Sequence, residues 1–212
     1  MESPLKWFED HRVVAVIRSS SVDSADAMIQ AAIAGGVRIF QISTQTPQAI
    51  RLIETYSKKQ DILVGAGSVS DGEATQRAIN AGARFVLTPY TDRDIISVAK
   101  NNDTFVIQGA LTPTEAVDAH HLGADLIMIY HAEMAGGPQY LKTLRNFAPF
   151  LKLAAAGGVT TDNFHEYLKY GVATFMRRSI FAKPLVRSNN WAEITQNARK
   201  VTEKLESLKV SR

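Results

Sequence analysis

Eight parallel strands alternating with eight helices, closed into a barrel, is the fold class that this 212-residue sequence predicts. Two observations predict it. Short runs rich in β-branched and aliphatic residues recur eight times, roughly every 20–25 residues, which is the length of one strand–helix unit. Between them lie segments whose apolar residues recur at helical spacing and which end in glycine. Most of the runs are apolar at consecutive positions, as strands covered on both faces require.

Taken in order, residues 3–11 read as a short leading helix that closes the barrel bottom. VVAVIR (13–18) is the first strand, and SADAMIQAAIAGG (24–36) is the helix that follows it. RIFQIS (38–43) and ILVGAG (62–67) come next, and DGEATQRAINAGA (71–83) opens on Asp71, a residue that caps helix N-termini. FVLTP (85–89), TFVIQG (104–109), LIMIYH (126–131), KLAAAG (152–157) and TFMRRS (174–179) complete the eight. FAKPLVRSNNW (181–191) is a polar break that introduces a last helix over 191–208. No linker or composition shift divides the chain, so one (β/α)8 TIM barrel domain over 1–212 is predicted, at the small end of that fold's range. An open doubly wound sheet has the same alternation, and strand count alone does not separate the two. Gly65-Ala66-Gly67-Ser68-Val69 lacks the third glycine and the downstream acid of a dinucleotide turn, and reads as turn chemistry.

Composition bounds the function. With 45% hydrophobic and 21% charged residues, the chain has ample apolar surface to fold. No apolar run approaches the roughly 18 residues of a membrane span, and no membrane partner is expected. Zero cysteines exclude thiolate nucleophiles, disulfides and Cys-ligated metal. A net charge of +3, evenly spread, gives no nucleic-acid surface. The N-terminus, MESPLKWFEDHRVV, has no hydrophobic core segment of a secretory signal, so a cytoplasmic protein is expected.

In this fold chemistry lies at the C-terminal ends of the strands. Arg18 ends an apolar strand, where a charge needs either an ion-pair partner at the rim or an anionic ligand. Gly157-Gly158 after the seventh strand and Arg177-Arg178-Ser179 after the eighth occupy the loops that hold phosphate in such barrels. The two arginines can either bind an anion or fill the pocket. His131 and Glu133 lie two apart at a strand end, with His120 and His121 on the preceding helix, but no metal-ligand spacing joins them, so no metal is expected. His131 reads either as a structural histidine or as a general acid or base. Met128 reads as core filler.

VVAVIR, GGVRIFQISTQTP, VGAGSV, FVLTP, GADLIMIYHAE and AAAGGV, in this order, resemble the family of 2-keto-3-deoxy-6-phosphogluconate and 4-hydroxy-2-oxoglutarate (KDPG and KHG) aldolases, over residues 10–182. That resemblance implies a cofactor-free class I aldolase, a homotrimeric barrel in which a lysine forms a Schiff base with a 2-keto acid and pyruvate is released. It implies substrate contacts at Arg18, Ser43, Gly67, Pro89, Gly109 and Glu133. It implies phosphate contacts at Gly157 and Gly158, which Arg177, Arg178 and Ser179 are expected to join from the eighth-strand loop. The chemical positions differ. Met128 stands where the family has its lysine, and Gln41 where it has its acid/base glutamate. His131 replaces a proline, Gln45 an arginine, Ala156 a threonine, and Arg177-Arg178 a Gly-Gly pair. Lys152 falls at the wrong end of its strand and Lys142 on a helix, so neither replaces the missing amine.

The expectation is therefore a family member without Schiff-base catalysis that binds a small anionic keto acid or phosphorylated ligand. One alternative is a lyase or decarboxylase acting on a 2-keto acid by another route, with His131 as substitute catalyst. Another is a regulatory or structural partner subunit.

Overall fold

In a computed structural model, which describes residues 2–210, the eight strands form one closed parallel barrel in sequence order. The strands are β1 (Val13–Ile17), β2 (Ile39–Ser43), β3 (Leu63–Gly67), β4 (Phe85–Thr88), β5 (Phe105–Ala110), β6 (Leu126–Tyr130), β7 (Leu153–Ala156) and β8 (Ala173–Met176). Closure is direct, because β1 pairs with both β2 and β8, for example Val14 with Ile39 and with Phe175. This settles the barrel against the open sheet.

The helices are α1 (Pro4–His11), α2 (Val22–Ala34), α3 (Ala49–Tyr56), α4 (Gly72–Asn80), α5 (Arg93–Asn101), α6 (Pro113–His121), α7 (Gly137–Phe147), α8 (Phe164–Tyr167), α9 (Lys183–Arg187) and α10 (Trp191–Val210). Local chemistry sets their starts. Ser21, Asp71 and Asp92 cap α2, α4 and α5 through their side chains, and Thr112 with Glu115 forms a complete capping box on α6. The break at 181–191 carries one element that the sequence reading left out, the short helix α9.

Two apolar layers follow from the period-two alternation of the strands. Residues facing outward, such as Ala15, Ile42, Ile127 and Ala155, pack under the helices. Residues facing inward, including Val14, Ile39, Leu63, Ile107, Leu126 and Met128, fill the barrel. The bottom is plugged by Phe8 of α1, fully buried, with its ring 5.2 Å from Phe85 and 5.6 Å from Phe105. Arg12, which follows α1 in the left-handed conformation, donates to the carbonyls of Leu168, Gly171 and Val172 and ties the plug to the chain entering β8. With Phe8 plugging the bottom, the barrel interior among the described residues opens toward the C-terminal ends of the strands.

Candidate functional site

A cavity of about 560 Å³ opens at that end. Its floor includes Val16, Leu87, Met128 and Phe175, and its rim is polar. Met128 is 3% exposed, facing inward on β6 beside Gly109 of β5 and Ala154 of β7. Gln41 and Ser43 are buried on β2 and also line the cavity.

Three arginines reach this space: Arg18, Arg177 and Arg178. Among the described residues none of them has an acidic partner, and Arg177 makes one long contact, from Nη2 to the Arg18 carbonyl at 3.5 Å. Burial, then the charges of Arg18 and Arg178, hold the Arg177 guanidinium below its ordinary range. The eighth strand ends at Met176, three residues earlier than the run TFMRRS suggests. Strand alternation would send Arg177 and Arg178 to opposite sides. A turn closed by the Phe181 N–H donating to the Arg177 carbonyl instead brings both to the cavity. Ser179 lines it too, but its hydroxyl already donates to the Val159 carbonyl, leaving that group committed to holding the two loops together.

Glu133 contributes the one carboxylate among the lining residues, and no lysine lines the cavity. Lys152 precedes β7 and Lys142 lies exposed on α7. The β6–α7 turn that carries Glu133 is pinned to the end of β7. Ala132 donates to the Ala156 carbonyl at 2.8 Å, and Glu133 to the Gly157 carbonyl at 3.1 Å. Gly157 and Gly158 have φ of 85° and 76°, in the region that favours glycine. A Cβ on Gly157 would meet the His131 ring at 2.5 Å, and one on Gly158 would meet the Glu133 Cβ at 2.1 Å. The glycine turn is thus the seat on which His131 and Glu133 rest. His131 lines the cavity, and its Nδ1 is buried with no hydrogen-bond partner among the described residues.

Not every residue named from the sequence reaches the cavity. Gly67 lies beneath the Gln41 amide, whose nitrogen would be 1.6 Å from a Cβ there. Gly109 packs on the Pro89 backbone at 2.1 Å by the same measure. Pro89 itself lines the rim. Both glycines leave room for neighbouring protein groups, the Gln41 side chain and the Pro89 backbone. Conversely, Ser68, Ser70, Tyr90 and Thr160 line the cavity and were not singled out. Their signal is positional, since Ser68-Val69-Ser70 directly follow β3 and Thr160 follows the Gly-Gly turn. His120 and His121 end α6, where the His120 ring lies 5.1 Å from Phe150. No group of three or more His, Asp or Glu positioned to hold a metal is found among the described residues.

A model of the KDPG and KHG aldolase family matches residues 6–197, nearly the whole chain. The chain belongs to this family. A probable 2-dehydro-3-deoxy-6-phosphogalactonate aldolase of Rhizobium meliloti is 30% identical over 187 residues, 87% of this chain and 84% of its own. The 2-dehydro-3-deoxy-phosphogluconate aldolase of Pseudomonas aeruginosa is 27% identical across 91% of this chain and 89% of its own. Among solved structures, the KDPG aldolase of Legionella pneumophila, captured with pyruvate as a covalent carbinolamine, superposes with a TM-score of 0.85 at 26% identity. That superposition covers 94% of this chain and 98% of the aldolase. No helix among the described residues is long and apolar enough to cross a membrane.

Proposed function

We propose that this family member has lost Schiff-base catalysis and binds a small anionic ligand, a 2-keto acid or a phosphorylated sugar acid, in the barrel-mouth cavity. The observation that carries the reading is the composition of that cavity: three arginines without acidic partners stand over a floor that offers Met128 and no lysine. A thioether cannot add to a carbonyl to give an imine. At the family's glutamate position, the Gln41 amide cannot shuttle a proton near neutral pH. Arg18 is the carboxylate partner, while the backbone of Gly157-Gly158 with Arg177 and Arg178 provides charge-assisted contacts for a second anionic group. The relatives act on phosphorylated keto acids by name, which makes that ligand class the first to test. The protein is proposed to act without a cofactor, as a cytoplasmic homotrimer.

Isothermal titration with pyruvate, inorganic phosphate and 2-keto-3-deoxy-6-phosphogluconate tests binding. Heat that disappears in Arg18→Ala is expected, and absence of binding by all three would overturn the proposal. Pyruvate release from 2-keto-3-deoxy-6-phosphogluconate and from 4-hydroxy-2-oxoglutarate is expected to stay at the protein-free rate. Turnover in chelator-treated protein would favour the second reading, a non-Schiff-base lyase or decarboxylase, for which the pairing of His131 and Glu133 in the cavity speaks.

A further inference from the structure

We propose that the site catalyses enolisation of a bound 2-keto acid without an imine, with Glu133 as the base and His131 as the donor to the carbonyl oxygen. This rests on the binding reading above. The turn seats these two side chains on consecutive glycines, His131 against Gly157 and Glu133 against Gly158, so they stand side by side over one wall of the cavity. Base and donor are thus presented from the same wall to one small substrate. Both are held there by the hydrogen bonds from Ala132 and Glu133 to the end of β7.

The tautomer follows from burial. Nδ1 of His131 has no partner, and an N–H buried there without an acceptor is disfavoured, so the ring proton belongs on Nε2. His131 thus presents Nε2–H as a hydrogen-bond donor to the cavity. Glu133, the one carboxylate lining the cavity, removes a proton from C3 of the keto acid. The C3–H electron pair forms the C2=C3 bond, and the carbonyl π pair moves to oxygen, where the Nε2–H hydrogen bond and the arginine field hold the enolate. Return of a solvent-exchanged proton from Glu133 to C3 restores the keto acid, with no net redox change and no co-reactant.

The test is loss of the pyruvate methyl signal in D2O, followed by proton NMR on the full chain, with calorimetry on the same samples. Exchange at least tenfold above a protein-free control is expected. Glu133→Gln should lose at least tenfold in exchange at saturating pyruvate without weakening its Kd, because removing a negative charge does not disfavour an anion. His131→Phe keeps a ring on Gly157, and the same loss is expected. Bound pyruvate without exchange above the control, or undiminished exchange in Glu133→Gln, overturns this inference alone. A pyruvate adduct trapped on the unmodified chain by borohydride overturns it too, since an imine would then carry the exchange. Failure of every keto acid to bind overturns the binding reading along with it.

Discussion

Met128 shows how much of the chemistry hangs on one side chain. It is enclosed by the barrel interior and contributes to the cavity floor, so an amine placed there would lose hydration. Desolvation lowers a lysine pKa and leaves more of the nucleophilic free base at neutral pH. Met128→Lys is therefore expected to trap pyruvate covalently under borohydride, seen as a mass increase absent from the unmodified chain. The substitution is expected to cost about 1–3 kcal/mol of stability in a urea titration. The two inward glycines separate in the same assay. Gly109→Ala drives a methyl into the Pro89 backbone, which cannot swing away, and a loss of about 3 kcal/mol is expected. Gly67→Ala meets the Gln41 side chain as far as its Cγ, a chain that can turn toward the cavity, so a smaller loss of about 1 kcal/mol is expected, along with weaker ligand binding as the amide is pushed into the cavity. The family resemblance implies ligand contacts at both glycines. Their protein neighbours come from adjoining strands, diagonally from Gln41 of β2 for Gly67 and in register from Pro89 after β4 for Gly109, and no local pattern reports either contact.

At the scale of elements, the strands were legible because burial on both faces leaves unbroken apolar runs, and their ends were not. The runs ending in Arg18, His131 and Arg177-Arg178-Ser179 overshoot β1, β6 and β8, since pairing stops where the chain turns toward the cavity. Those overshoots are the residues that line the site. The leading helix was legible from its position before the first strand, and its anchor gives a clean test. Phe8→Ala is expected to cost about 3–5 kcal/mol by urea unfolding, with ligand binding at the opposite end retained by calorimetry. A second inter-helix link depends on pH. The Tyr56 hydroxyl of α3 donates to Asp26 of α2 at 2.7 Å, and burial followed by that bond raises its pKa. Because the folded value lies above the unfolded one of about 10, the stabilisation is complete below pH about 10 and is lost as pH rises further. Tyr56→Phe is thus expected to be less stable than the unmodified chain at pH 7, and the gap should narrow in urea titrations repeated at pH 11.

For the whole molecule, the arginine cluster sets stability against binding. Arg18, Arg177 and Arg178 repel one another across the mouth of a barrel whose interior is packed below them, and among the described residues no carboxylate forms an ion pair with any of them. A bound anion relieves that repulsion as well as adding its own contacts. Ligand at one hundred times its Kd stabilises the native state by about 2.7 kcal/mol. For a chain of this size that is a rise in Tm of roughly 5–10 °C. Phosphate is expected to produce it, and chloride at matched ionic strength is not, because a chloride ion cannot take several charge-assisted hydrogen bonds from guanidinium and backbone N–H groups at once. Arg177→Gln removes the guanidinium that burial and its neighbours disfavour, so the ligand-free Tm should equal or exceed that of the unmodified chain while the phosphate-induced rise shrinks. Calorimetric melts of both proteins, with and without phosphate, decide the point. A ligand-free Tm that falls in Arg177→Gln would mean the three arginines are structural filling, and the cavity they surround would lose its claim to an anionic ligand.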